Sequence, residues 1–285
     1  MSELRLATRG SRLAVTQAER VAELLRKAHP LVEVSLVEVT TTGDRDRTTS
    51  VATLTEVGAF VRAVQQAVLD GEADAGVHSC KDLPVDGPDE LVVFYPERDN
   101  PWDALCGHDL VSLPHGARVG TGSPRRAAQM RRLRPDVEIA DIRGNVETRL
   151  AKIHDGEFDA VILAHAGLGR LRLEHEIGHV FAVGEMVPAP AQAALAVEAI
   201  ADSEAADLLG AIDDPVTRSA VETERTLLSL TGAGCRAALG AYATAIRGRI
   251  EITGFVEDDA GARTGQGVGS EPGEAARALQ EALSL

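Results

Sequence analysis

Arginine density is the strongest chemical signal in this 285-residue chain. Eight arginines, at 118, 125, 126, 131, 132, 134, 143 and 149, share one window with only four acids, Asp136, Glu138, Asp141 and Glu147. Within it, Gly120-Thr121-Gly122-Ser123-Pro124-Arg125-Arg126 follows a strand signal and opens a helix signal. Free amides at a helix start favour an anion, and glycines let it approach the backbone. Arg143-Gly144-Asn145 repeats that logic, with Arg149 about one turn further on. A solvated basic face would have the same composition. Two strand–glycine–helix entries, each with arginines, favour a carboxylate site, because the planar guanidinium fork matches a carboxylate.

Three further segments carry reactive groups. His78-Ser79-Cys80-Lys81-Asp82 follows a strand, where an active-site loop belongs. Asp82 there could stabilise a developing cation and accept N–H hydrogen bonds, although an isolated Lys-Asp pair is more often a surface ion pair. Cys235 sits among glycines beside Arg236, which could lower its thiol pKa; an isolated cysteine is more often inert and buried. His175-Glu176-Ile177-Gly178-His179 matches the HExxH zinc-peptidase pattern. Gly178 weakens the helix that pattern needs, and a third ligand would have to be an acid such as Glu198.

The chain that must position these groups exceeds a typical single domain, so two or three domains are expected. Its 44% hydrophobic content supports packed cores. Cys80, Cys106 and Cys235 form an odd, widely spaced set without a CxxC. That argues against a disulfide framework and fits a reducing cytoplasm. Arg5, Arg9 and Arg12 interrupt the first apolar stretch, so no signal-peptide core and no membrane span are expected. A formal net charge of −15 disfavours nucleic acid and anionic lipid. Only Lys27, Lys81 and Lys152 are lysines, so 26 of the 29 basic residues are arginine. Arginine clusters in an acidic protein point to a small polyanionic ligand; salt adaptation or a GC-rich genome would give the same bias.

Periodicity places strands at Leu4–Thr8, Val32–Val39, Asp74–Val77 and Leu91–Tyr95, alternating with helices that begin after Ser11 and around Phe60. The polar stretch from Thr40 to Thr55 reads as a mobile loop. The alternation then repeats, with strands at Arg118–Gly120, Val137–Ile142 and Asp159–Ala164 and helices opening at Ser123-Pro124 and Val146. This predicts α/β domains with mainly parallel sheets and ligands at the strands' C-terminal ends. Asp214-Pro215 caps a further helix, a hairpin turns at Arg247-Gly248, and Glu274–Leu283 closes a small α+β domain.

Taken in series, these segments resemble the porphobilinogen deaminase (hydroxymethylbilane synthase) family. The resemblance runs through Leu6-Ala7-Thr8-Arg9-Gly10-Ser11, Thr42-Gly43-Asp44, His78 to Pro84, Glu97-Arg98-Asp99-Asn100-Pro101 and Gly120 to Arg126. It continues through Ile142 to Val146, Thr148-Arg149-Leu150, Ala166-Gly167-Leu168 and Gly234-Cys235. It implies two periplasmic-binding-protein-like α/β domains, 1–96 completed by 191–211 and 97–190, and a cofactor-bearing α+β domain at 212–285. It implies a cytoplasmic, monomeric transferase of tetrapyrrole (heme, porphyrin) biosynthesis. The enzyme would join four porphobilinogen molecules into hydroxymethylbilane, with loss of ammonia, on a dipyrromethane held covalently by Cys235 through a thioether. By the same resemblance Asp82 is the catalytic acid. Ser11, Lys81, Thr121, Ser123, Arg125, Arg126, Arg143 and Asn145 hold the cofactor, and Arg9, Arg149 and Arg170 bind substrate. No metal is implied.

The chain also departs from the family pattern. Glu56-Val57-Gly58-Ala59-Phe60 replaces Gly-Lys-Gly-Leu-Phe, and Arg62-Ala63-Val64-Gln65 replaces Lys-Glu-Leu-Glu. Gln192-Ala193-Ala194 replaces Gln-Gly-Ala, and Ala237-Ala238 replaces Val-Pro. An inactive paralogue and a carboxylate-binding receptor of the same fold are the competing readings.

Overall fold

The computed structural model describes residues 3–39, 55–232 and 238–285. The motif Thr42-Gly43-Asp44, with the polar stretch around it, and the Gly234-Cys235-Arg236 loop lie outside the described residues.

Along the chain the first elements are β1 (Glu3–Arg9), α1 (Arg12–Ala28), β2 (Glu33–Val39), α2 (Thr55–Leu69), β3 (Ala75–Ser79) and β4 (Leu91–Phe94). Next come β5 (Asp103–Cys106), β6 (Arg118–Gly120), α3 (Pro124–Leu133), β7 (Glu138–Ala140), α4 (Val146–His154), β8 (Ala160–Ala164), α5 (His165–Leu171) and β9 (Ile177–Val180). The last are β10 (Leu195–Ile200), α6 (Glu204–Leu209), α7 (Pro215–Thr231), β11 (Ala238–Ile246), β12 (Arg249–Asp258), β13 (Gly261–Gly269) and α8 (Pro272–Leu283).

Local chemistry sets several of these boundaries. Ser11 Oγ accepts the Ala14 amide at 3.3 Å to start α1, and His29 before Pro30 ends it. Asp214 Oδ1 accepts the Thr217 amide at 2.7 Å ahead of Pro215. Arg247 and Gly248 both have positive φ, at 52° and 76°, which suits a tight hairpin between right-twisted strands.

The strands form two five-stranded sheets, ordered β2-β1-β3-β10-β4 and β7-β6-β8-β5-β9, and a three-stranded antiparallel sheet, β11-β12-β13. This is the α/β, α/β, α+β architecture expected. The expectation of mainly parallel pairing needs correction. β10 pairs antiparallel with both β3 and β4, and β5 pairs antiparallel with both β8 and β9. Each sheet thus has one reversed strand: β10 returns to the first sheet from late in the chain, and β5 precedes the other strands and helices of its own sheet.

By contact density the chain forms two compact units, Met1–Arg98 with Ala194–Arg218, and Asp99–Ala193 with Ser219–Leu285. In the first, Leu4, Leu6, Val21, Leu25, Val77, Val197 and Leu209 form a core. In the second, β5 and β8 are buried on both faces. Leu105 and Ile162 pack with Met130 and Phe181 on one side, and Cys106 and Val161 with Leu150 and Leu168 on the other. Burial on both faces explains their short apolar runs, Ala104–Cys106 and Ala160–Ala164. Each such large side chain contributes roughly 1.5–3 kcal/mol. Among the described residues no helix is long and apolar enough to cross a membrane.

Candidate active site

In the first unit, the C-terminal ends of β1 and β3 bring several predicted residues to one small cavity. Arg9 ends β1, Ser11 caps α1, and Asp82 ends a 3-10 turn, Cys80–Asp82, directly after β3. With Phe60, His78 and Ser79 they line a cavity of about 100 Å3. The turn is tied down on both sides: Cys80 N donates to Ala194 O at 3.0 Å, and Leu83 N to Cys80 O at 3.1 Å. Gln17 Nε2 donates to Ser79 Oγ at 2.9 Å. Asp82 is half-buried, whereas Lys81 is exposed. The Arg9 guanidinium carbon lies 3.8 Å from the centre of the Phe60 ring. Its Nε is buried without a hydrogen-bond partner among the described residues. A buried, unpartnered N–H is costly unless a ligand acceptor meets it.

In the second unit, the two glycine-containing helix entries are adjacent because β6 and β7 pair in parallel. Thr121 N donates to Ala140 O at 3.0 Å, and a side chain at Gly122 would crowd Ile142 O at 3.1 Å. Ser123 Oγ accepts the Arg126 amide, and Asn145 Oδ1 accepts the Thr148 amide at 2.8 Å, so both predicted residues are helix caps. Gly144 has φ +112°, a conformation that other residues rarely adopt. Arg143 is exposed beside Asp141, with Nε to Oδ2 at 3.2 Å. Arg149 is half-buried and donates Nε to Gly144 O at 2.7 Å. Burial and then the charge of Arg126 lower its pKa, with Asp141 opposing. It is thus a desolvated cation beside a like charge, which an incoming carboxylate would relieve.

Three predicted arginines are engaged within the protein. Arg125 Nη1 lies 2.6 Å from Asp103 Oδ2 and 2.7 Å from Val187 O. Arg126 Nε lies 2.8 Å from Asp103 Oδ1, and its Nη1 donates to Ile162 O at 2.9 Å. Burial alone would raise the Asp103 pKa. The charges of Arg125 and Arg126, with hydrogen bonds from Arg125 and Gln192, outweigh it and hold the carboxyl far below its ordinary range. Arg170 pairs with Asp99 at 2.9 Å and donates to Ala193 O. The sequence reading missed Asp103 and Asp99 as partners; an acid opening the apolar run Asp103-Ala-Leu-Cys was the available sign. It also missed Gln17 and Phe60 in the cavity of Asp82. Cys235, the expected cofactor attachment point, lies outside the described residues.

The HExxH match dissolves in the fold. His175 and Glu176 belong to a 3-10 turn and His179 to strand β9, so no helix face aligns the imidazoles. Gly178 is instead fixed by packing: a Cβ there would collide with the His108 carbonyl and come within 2.7 Å of Asp109 N. A cavity in this unit, about 580 Å3, is lined by Gln129, Arg132, Val183, Thr253 and Gln266 among others; of the clustered arginines it includes Arg132, and it includes none of the residues expected to hold cofactor or substrate.

Comparison with known proteins follows the same chemistry. Residues 4–207 match the family model described as porphobilinogen deaminase, dipyromethane cofactor binding domain. The porphobilinogen deaminase of Acidothermus cellulolyticus is 46% identical over 270 residues, covering 92% of this chain and 81% of that protein. That of Roseiflexus castenholzii is 40% identical over 294 residues, covering 99% and 96%. That of Micrococcus luteus is 46% identical over 297 residues, covering 90% and 78%.

Proposed function

The chain belongs to the porphobilinogen deaminase family, and from that premise we propose how its residues divide the work of the reaction. The activity is hydroxymethylbilane synthesis: four porphobilinogen molecules are joined head to tail, each losing ammonia, on a covalently attached dipyrromethane. The bound dipyrromethane supplies the nucleophilic pyrrole carbon from which the chain grows.

The donor set fits such a group. Every ring of porphobilinogen and of its oligomers bears carboxylates. The helix entries at Ser123 and Asn145, the backbone approach at Gly122 and Gly144, and the desolvated Arg149 suit carboxylate ligands. Cys235 would be the attachment point, with Ser11, Lys81, Thr121 and Arg143 adding polar contacts. Arg125 and Arg126, directed inward on Asp103, would act by their field and by setting the start of α3.

Asp82 would be the carboxylate of the chemical step. Departure of ammonia needs a proton on the leaving nitrogen and leaves a cation conjugated with the pyrrole N–H. A carboxyl held at the end of a short, tethered turn can give the proton, accept the N–H and stabilise that cation. One observation carries this assignment: Asp82 shares its cavity with Arg9, whose buried Nε has no partner among the described residues and is suited to a substrate carboxylate. Arg170, paired with Asp99, would act by holding the Ala193 carbonyl rather than by touching substrate. The reading carries with it a cytoplasmic monomer with no nucleic-acid or membrane partner, as the net charge of −15 suggests. It also retains a separate cofactor-bearing domain at 212–285.

The test is direct. Intact mass of protein from a porphobilinogen-producing host should exceed the sequence mass by two linked pyrrole units, and Ehrlich's reagent should colour it. Cys235→Ala should lose both signals, and Asp82→Asn should keep them while losing most turnover. A colourless, unmodified wild type would favour the paralogue or receptor, and near-normal turnover in Asp82→Asn would move the chemistry elsewhere.

A further inference from the structure

Beneath the Asp82 turn lies a buried polar cluster that neither the motifs nor the proposed chemistry uses. His78 is the penultimate residue of β3, and Glu198 lies on the antiparallel neighbour β10, where His78 pairs with Ala196 and Gly76 with Glu198. The two side chains therefore share a face of the sheet. His78 Nε2 is 2.9 Å from Glu198 Oε2, with each side chain 5% exposed. The contact is close but not aligned as a hydrogen bond. From α2, Gln65 donates Nε2 to both Glu198 oxygens at 3.1 Å. Gly76 makes room for the ring: a Cβ there would lie 3.1 Å from His78 Nε2 and 2.8 Å from Val64 Cγ1.

A carboxylate this deep is unfavourable without a counter-charge. The Gln65 amide orients it but brings no charge. His78 is the group in contact that can carry one. The pair also lies at the end of a strand. Consecutive residues at the end of β3 are held on opposite faces, Ser79 by Gln17 on one and His78 by Glu198 on the other. The Cys80–Asp82 turn starts at the next residue.

We infer that the His78–Glu198 contact, aimed by Gln65, is a positioning device that fixes the strand end from which Asp82 projects. This rests on the reading of Asp82 given above. Among the described residues, the charged groups facing His78 are Glu198 from β10 and, through the shared cavity, Arg9 from β1 and Asp82 from the turn itself. The described helix residues around it are uncharged: the amides Gln17 and Gln65 and apolar groups such as Val61 and Val64. Gln65 matters in this chain because an acid at position 65 would set two carboxylates against each other in a buried site. One of them would then have to take up a proton.

The experiment uses holoenzyme and porphobilinogen, with melting curves to confirm folding. Glu198→Gln should lower kcat roughly 10–100-fold, as expected for small misplacement of a reacting group, with KM changed less than about threefold. Gln65→Glu should add an ionisation to the pH profile of kcat that the wild type lacks. In 15N-histidine NMR, with His78 assigned by His78→Gln, Glu198→Gln should shift the His78 ring resonances, because the ring loses the carboxylate 2.9 Å away. Wild-type kcat in a folded Glu198→Gln protein, or an unchanged pH profile and His78 signal with only a lower Tm, would reduce the pair to scaffold and overturn the inference. Should Glu198→Gln not fold, Gln65→Leu decides: it keeps the carboxylate but frees its aim, and unaltered kcat there is equally fatal. A wild type that binds no pyrrole and turns over nothing, yet shows the His78 signal and its response to Glu198→Gln, defeats the proposed function and leaves the His78–Glu198 contact standing.

Discussion

Arg125 Nη1 sits 2.6 Å from Asp103 Oδ2, and neither side chain is open to solvent. With Arg126 on the other carboxylate oxygen, this acid at the start of β5 neutralises part of the cluster that looked, in sequence, wholly available to a ligand. Removing the acid alone leaves two buried guanidinium groups uncompensated. Asp103→Ala should therefore cost about 3–5 kcal/mol in urea unfolding at neutral pH. The sign with pH follows from the lowered pKa of the folded state. The stabilisation is complete above the unfolded carboxyl value, about 3.9, and drains away as pH falls towards the lower folded value. Asp103→Asn should flatten the stability curve below about pH 4. A variant curve parallel to the wild type down that limb would mean that Asp103 takes up its proton no differently on unfolding.

The two arginines at the α4 entry should differ. Arg143 is solvated and already faces Asp141, whereas Arg149 is half-buried beside Arg126. A carboxylate gains more from a desolvated guanidinium, since a charged hydrogen bond contributes about 1.5–3 kcal/mol. Arg149→Leu should raise KM for porphobilinogen, or slow cofactor assembly, by roughly 10–100-fold. Arg143→Leu should change either by less than about fivefold, as befits an exposed ion pair. Steady-state kinetics and the extent of modification by mass would reverse this argument if Arg143 proved the more sensitive.

Thiol chemistry gives a third check. Burial, with Glu176 adding to it, pushes the Cys106 thiol up to about 12. Cys80, the first residue of the Asp82 turn, is fully buried. Iodoacetamide at neutral pH should leave both unmodified in the folded protein and alkylate both in urea, since only the thiolate attacks. Peptide mass mapping would detect the contrary result, native labelling of Cys106, which would mean that β5 opens readily.

Much of this architecture was legible in the chain. The helix starts at Ser11, Ser123 and Asp214 carry their own caps, and Arg118–Gly120 and Val146–His154 read as they fold, because capping and period are local properties. What sequence could not disclose was non-local. β5 and β9 are four-residue strands that exist only through their antiparallel partners. The inward turn of Arg125 depends on Asp103, 22 residues earlier. The HExxH spacing is helical on paper, yet its second histidine sits in an edge strand of the second sheet. Glu198 entered the sequence reading only as a possible third ligand for the HExxH match, and its contact with His78 depends on pairing across the sheet.

The strand β13 was missed for a related reason, and it yields the last prediction. Gly261-Ala-Arg-Thr-Gly-Gln-Gly-Val-Gly reads as a loop, because glycine disfavours strands. Here alternate glycines form the face on which α8 lies. A Cβ at Gly267 would meet the Ala275 carbonyl and Leu279 backbone, one at Gly269 would lie 2.6 Å from Ala275 N, and one at Gly265 would lie 3.2 Å from Leu283 Cδ2. The glycines thus exchange strand propensity for close approach of a helix. Gly267→Val should push α8 off the sheet and destabilise the protein by roughly 1–3 kcal/mol or more, as overpacking does. Gly184→Ala, with no atom in the way, should stay within about 0.5 kcal/mol of wild type. Equal melting temperatures for the two variants would mean that the strand's glycines do not set the seat of the helix.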